Sequence, residues 1–161
     1  MTLPPYRILV TGWRFWPRPA AYVVRSTLAM VAAPALLAGQ AVVVIEGKCP
    51  RGGVDDYAFE WAMSHVDSNV HSIRMPAQWD LFGKAAGSRR NQDMVDRGAD
   101  ICLGFPGPPI RKTSGTTDCM TRASAAGIAV VPVPWAEWFT TDLERFKPRT
   151  YLNALSPMLG W

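Results

Sequence analysis

The sequence predicts an α/β fold, a Rossmann-like three-layer sandwich on a mainly parallel sheet of about five strands. Three observations carry that prediction. Short apolar runs of β-branched type alternate with stretches of helical periodicity along most of the chain. Glycine-bearing connections follow the strands, at Gly12, Gly47, Gly53, Pro106-Gly107 and Gly115, which places them together on one edge of the sheet. The run AVVVI at 41–45 is apolar throughout, as a strand covered on both faces requires.

Taken in order, residues 7–11 (RILVT) form the first buried strand, stopped at Gly12 by a tight turn. Trp13, Arg14, Phe15 and Trp16 follow as an exposed aromatic and basic loop, and Pro17 and Pro19 punctuate the entry to a helix. Val23, Val24, Thr27, Leu28 and Val31 recur at helical spacing and give that helix one apolar face. Pro34 is expected to end or kink it, with Gly39 marking the turn. The second strand (41–45) runs into EGKCPRGG at 46–53. Asp55 and Asp56 then open a helix, where acidic side chains suit the positive end of the dipole. Tyr57, Ala58, Trp61 and Ala62 make its inward stripe. Residues 70–75 read as a weaker strand and 76–83 as a loop carrying Trp79 and Asp80.

The stretch AGSRRNQDMVDRGADICLGF (86–105) is where the chain is organised. A helix opens at Ser88-Arg89-Arg90-Asn91, Gly98 closes it, and 101–105 form a buried strand. After a proline-rich loop, Ser114-Gly115-Thr116-Thr117 open a helix that closes at Gly127, and 128–133 form the last strand.

A chain of 161 residues suits one domain, taken as 1–134, with 135–161 as a C-terminal extension. Trp135, Trp138, Phe139, Tyr151, Leu152, Leu155, Leu159 and Trp161 make that extension too apolar to leave in water. It is expected to pack on the domain or across a homodimer interface. Hydrophobic residues at 48% and charged residues at 19% exclude a disordered chain. The net charge of +4 favours anionic ligands, but the arginines are spread out, so a nucleic-acid partner is less favoured than a small nucleotide.

Cys49, Cys102 and Cys119 lack CxxC spacing and read as reduced, buried cysteines of a cytoplasmic protein. The start MTLPPYRILV carries no signal-peptide apolar region. Residues 26–45 are uncharged over a bilayer-spanning length, but Pro34, Gly39, Gln40 and a mid-run change of period favour helix, turn and strand over a membrane segment. His65 and His71 lack metal-ligand spacing, and P-loop, GxGxxG and GxSxG motifs are missing. No metal or cofactor is expected.

Sheets of this kind bind ligands outside the carboxyl ends of the strands, where helix openings offer free N–H groups and positive potential. The expected ligand contacts are therefore Gly12, Trp13 and Arg14 after the first strand, and Gly47, Gly52 and Gly53 after the second. Arg89, Arg90 and Asn91, then Gly107, Ser114, Gly115 and Thr116, complete the set. A base can stack on Trp13 or Trp16. Were the site hydrolytic, a carboxylate would have to act there, Asp55 first, then Glu46 or Asp118. The bland counterpart for Asp55 is a helix cap.

The series RILVTGWR, VVVIEGKCPRGGVDDYAFEWA, AQWD, AGSRRNQDMV, ICLGFPG and SGTTDCMTRASAAGIAV, over roughly residues 7–133, resembles the SLOG superfamily. Within it the series is similar to the DUF2493 group of YspA-like proteins found in bacteria and phages. The superfamily includes LOG phosphoribohydrolases, DprA-type DNA binders and proteins proposed to sense nucleotide-derived signals. The resemblance implies a Rossmann-like fold and a nucleotide or ADP-ribose-like ligand. By position it implies site roles for Gly12 and Arg14, for Gly53-Val54-Asp55, for Arg90-Asn91 and for Gly115-Thr116. One departure bears on activity. LOG-type enzymes carry PGGxGTxxE, whereas here an insertion separates Pro106-Gly107 from Ser114-Gly115-Thr116, and Cys119 stands three residues after Thr116. Binding, as a sensor or sponge, is accordingly expected ahead of N-glycosidic hydrolysis.

Overall fold

The computed structural model describes residues 3–108 and 114–136. Five parallel strands form one sheet: β1 (Tyr6–Gly12), β2 (Val42–Glu46), β3 (Val70–Arg74), β4 (Ile101–Phe105) and β5 (Ala129–Pro132), ordered β3-β2-β1-β4-β5. In register, Leu9 of β1 faces Ile45 on one side and Cys102 on the other. The chain steps outward from β1 to β3, then returns to lay β4 beside β1. The connections leaving β1 and β4 therefore part company and open a crevice at the carboxyl edge.

Helices α1 (Ala21–Leu37) and α2 (Val54–Met63) cover one face of the sheet. A short α3 (Trp79–Phe82) leads through a 3-10 turn into α4 (Ala86–Asp96), which covers the other face with α5 (Ser114–Ala125). The larger core joins Val23, Val24 and Leu28 of α1 to Ile8, Val10, Val42 and Leu103 of the sheet. Each such side chain contributes about 1.5–3 kcal/mol by leaving water. β4 is buried at all five positions, whereas β3 and β5 are half-exposed edge strands. That is why β3 carries the weaker apolar signal.

Three expectations need correction. Pro34 does not end the first helix, which runs on to Leu37. Its ring lies on the exposed side while Val31, Ala32 and Ala35 continue the buried face, so packing outweighs the one lost backbone bond. Residues 79–82, expected within a loop, form α3. Trp16 is not a surface residue; it is 1% exposed, donates its indole N–H to the Ala20 carbonyl at 2.9 Å and meets Phe105 edge-on.

The apolar run over 26–45 resolves into helix, turn and β2. Residues Arg18–Leu37 are long and apolar enough to cross a membrane, yet α1 is the central helix of the core. At the end of the domain, Trp135 packs edge-on against Trp13 and Trp16, with centroids at 6.0 and 5.1 Å. Trp138, Phe139, Tyr151, Leu152, Leu155, Leu159 and Trp161 lie outside the described residues.

Candidate functional site

Two adjoining cavities open at the carboxyl edge of β1 and β4. The outer, of about 440 Å³, is walled by the 47–51 loop, Ala77, Trp79, Lys84 and the first two turns of α4 and α5. The inner, of about 300 Å³, lies over Thr11, Gly12, Asp55 and Thr116. They share Arg14, Cys49, Arg90, Ser114 and Gly115.

Close packing of three loops builds this cleft. A Cβ on Gly12 would sit 2.5 Å from the Val54 side chain, and one on Gly53 would sit 2.5 Å from the Arg14 carbonyl oxygen. The β1 loop therefore lies directly on the start of α2. Gly53 also has φ +70, a conformation open to glycine at little cost. Gly47 leaves room for Arg90, whose guanidinium occupies the space of a Cβ and donates to the Gly47 carbonyl. Gly107 is buried beneath the Trp13 ring.

Arg90 was expected at the positive end of a helix opening at Ser88. The helix instead begins at Ala86, fed by the 3-10 turn, so Arg90 and Asn91 lie in its second turn and act through their side chains. Ser88 bonds back to the Ala85 carbonyl at 3.1 Å. Asn91, 3% exposed, ties α4 to α5: its amide donates to the Gly115 carbonyl at 3.1 Å and to Asp118 at 2.9 Å. Its carbonyl oxygen accepts Arg90 Nε at 3.1 Å, which aims the guanidinium.

The three carboxylates differ sharply. Asp55 lines the inner cavity, is 6% exposed and accepts the Cys49 N–H at 3.0 Å. Burial pushes its carboxyl above the ordinary value, only partly offset by the Arg90 charge and the Cys49 bond. Asp118 lines the outer cavity but is held by Arg122 and Asn91. Burial would raise its pKa; those two partners outweigh it and leave the group below its usual value.

Glu46 lines neither cavity. Fully buried, it pairs with Arg74 and accepts the Lys48 N–H at 2.6 Å, fixing Lys48 at φ +45. Its role is to shape the loop. Burial lifts its carboxyl to about 7, with the Lys48 bond and Arg74 opposing. Below its ordinary value of 4.5 it is protonated folded or unfolded; between 4.5 and about 7 only the unfolded chain ionises. Its contribution to stability is thus full at low pH and lost as pH rises through about 7. Glu46→Gln is expected to flatten that segment of the Tm profile, and an unchanged slope across it would contradict this.

Arg14, Arg51, Lys84 and Arg90 line the outer cavity, and among the described residues none of them is in an ion pair. The paired cations, Arg18, Arg25, Arg74 and Arg122, lie elsewhere on the surface or, for Arg122, behind Asp118.

Of the residues anticipated from sequence, Gly12, Trp13, Arg14, Gly47, Asp55, Arg90, Asn91, Asp118 and Ser114 to Thr116 meet at the cleft. Gly53 and Gly107 pack behind its walls, against Arg14 and Trp13, whereas Gly52 packs against Asp56 and lines neither cavity. Arg89 turns away and stacks on Phe82 at 4.1 Å. Sequence reading missed Arg51, Lys84 and Thr11. Arg51 sits in the loop after β2 and Lys84 in the 3-10 turn before α4, both next to motif residues, the signal that would have flagged them. Cys49, expected in the core, is half-buried and lines both cavities, while Cys102 and Cys119 are buried; all three are free thiols.

The chain is 38% identical over 128 residues to the Gene 61 protein of Mycobacterium phage D29, an alignment covering 78% of this chain and 94% of the phage protein. The chain belongs to the family of that phage protein. No family model matches it.

Proposed function

We propose that this Gene 61 relative is a cytoplasmic nucleotide-binding protein of the SLOG type, a sensor or sponge for a nucleotide-derived ligand. The observation that carries the reading is the cleft at the β1–β4 crevice, where cations without ion-pair partners among the described residues meet the opening turn of α5. Arg90 and the Gly115-Thr116 turn take phosphate; Arg14 closes over it from the β1 loop. A thermal-shift screen of the wild type against nucleotides, cyclic dinucleotides and ADP-ribose derivatives, with nucleosides as controls, tests it. Stabilisation by phosphate-bearing compounds and not by nucleosides is the expected result; none by any compound would rule the reading out.

Asp55 supports a second reading, a nucleotide N-glycosidase. It is a buried carboxyl of raised pKa on the cavity wall, the setting of a general acid or base. Asp55→Asn keeps the Cys49 contact but cannot carry the proton. Under the binding reading, product analysis finds free base released by neither protein. Turnover by the wild type that Asp55→Asn abolishes, with binding intact, would establish the enzyme instead. A DprA-like role needs nucleic-acid affinity with a steep salt dependence, whereas Arg14, Arg51, Lys84 and Arg90 line a concave cleft, which suits a small ligand better.

A further inference from the structure

Three consecutive residues of the loop after β2 are pinned from inside. The Gly47 carbonyl accepts the Arg90 guanidinium, the Lys48 N–H donates to Glu46 at 2.6 Å and the Cys49 N–H to Asp55 at 3.0 Å. Two of the three anchors are carboxyls nearly shut off from water, Glu46 at 0% and Asp55 at 6% exposed. Arg74 of β3 pairs with Glu46 and also with Asp56 of α2. Arg90 of α4 and Arg14 of the β1 loop line the inner cavity together with Asp55 and the Cys49 residue. Asp118 of α5 is already held by Arg122 and Asn91, and His65 and His71 line neither cavity.

Burial pushes both carboxyls up, Glu46 to about 7, and the charge of Asp55 raises Glu46 further. Of the influences that hold Asp55 down, the charge of Arg90 is the largest. An anion seated on Arg90 offsets that charge and brings negative charge of its own, so the carboxyls become harder to ionise. Linkage is reciprocal: such an anion must bind more tightly when the carboxyls are protonated.

Resting on the anion-binding part of the nucleotide reading, we infer that the cleft takes up a proton together with its ligand, carried by the Asp55–Glu46 pair behind the 47–49 loop. Arg90 is shared between Asp55 and phosphate, and the proton belongs to the pair rather than to either residue. The two carboxyls thus tune affinity to pH as well as anchoring the loop.

Sulfate keeps its charge between about pH 6 and 8, so a change in its affinity there belongs to the protein. Titration of the wild type at constant ionic strength, followed by the amide shifts of Gly115 and Thr116, is expected to give a Kd that rises at least about threefold over that range. One linked proton permits about tenfold per pH unit at most. The Asp55 and Glu46 carboxyls, followed by carbon-13 NMR, should titrate at higher pH with sulfate bound. Neither wild-type readout depends on a variant. Asp55→Asn combined with Glu46→Gln keeps an acceptor for each backbone N–H and should remove the slope, with sulfate bound more tightly than by the wild type at about pH 8. A flat wild-type profile, or a slope that survives in the double variant, would overturn the proton linkage and leave anion binding standing. Sulfate bound at neither pH would sink the anion site beneath it as well.

Discussion

Arg90→Ala is expected to weaken a phosphate-bearing ligand by about 1.5–3 kcal/mol, the range for charge-assisted hydrogen bonds, or roughly ten- to a hundredfold in Kd. The guanidinium is held in place before any ligand arrives. The Gly47 carbonyl accepts from one terminal nitrogen and Asn91 from Nε, so little side-chain entropy remains to be lost on binding. Lysine at this position would keep the charge but lose the fork, and should recover only part of the affinity. Calorimetry showing wild-type affinity in Arg90→Ala would remove this residue from the site.

A larger effect, on stability, is expected from Trp16→Ala. The side chain is 1% exposed, its N–H is bonded to Ala20, and it contacts Phe105 and Trp135 edge-on. Truncating a buried aromatic of this size costs about 3–5 kcal/mol, which urea denaturation would record as a lower midpoint at unchanged m. The Trp16 carbonyl also accepts the Tyr57 hydroxyl at 2.8 Å, joining the β1 loop to α2. Ligand affinity should therefore fall in the same variant, because Trp13 and Arg14 lie on that loop. A midpoint shift no larger than that of a surface substitution would return Trp16 to the exposed class that sequence alone suggested.

How far the sequence could be read follows from the range of the interactions involved. Strand positions were legible because a strand buried on both faces needs an unbroken apolar run, and β4 shows one from Ile101 to Phe105. The turn glycines were legible too, though for two different reasons that the letters do not distinguish. Gly53 is required by its backbone angle and by Arg14 above it, Gly47 only by the side chain of a residue distant in the chain. Trp13 and Trp16, three positions apart in one loop, could not be sorted into cleft and core. Their environments are set by Phe105 and Trp135, far along the sequence. Glu46 and Asp55 were equally ambiguous as candidate acids. Burial of both is tertiary, and Glu46 is claimed by Arg74 from the neighbouring strand.

The central claim is that a nucleotide occupies the carboxyl edge of the sheet. Backbone amide shifts recorded by NMR during titration with ADP test it most directly. The account predicts saturable shifts at residues 12–16, 47–53, 84–91 and 114–118, around the two cavities. Shifts gathered instead at the opposite edge, residues 38–41, 65–69, 98–100 and 126–128, or none at saturating ligand, would contradict it.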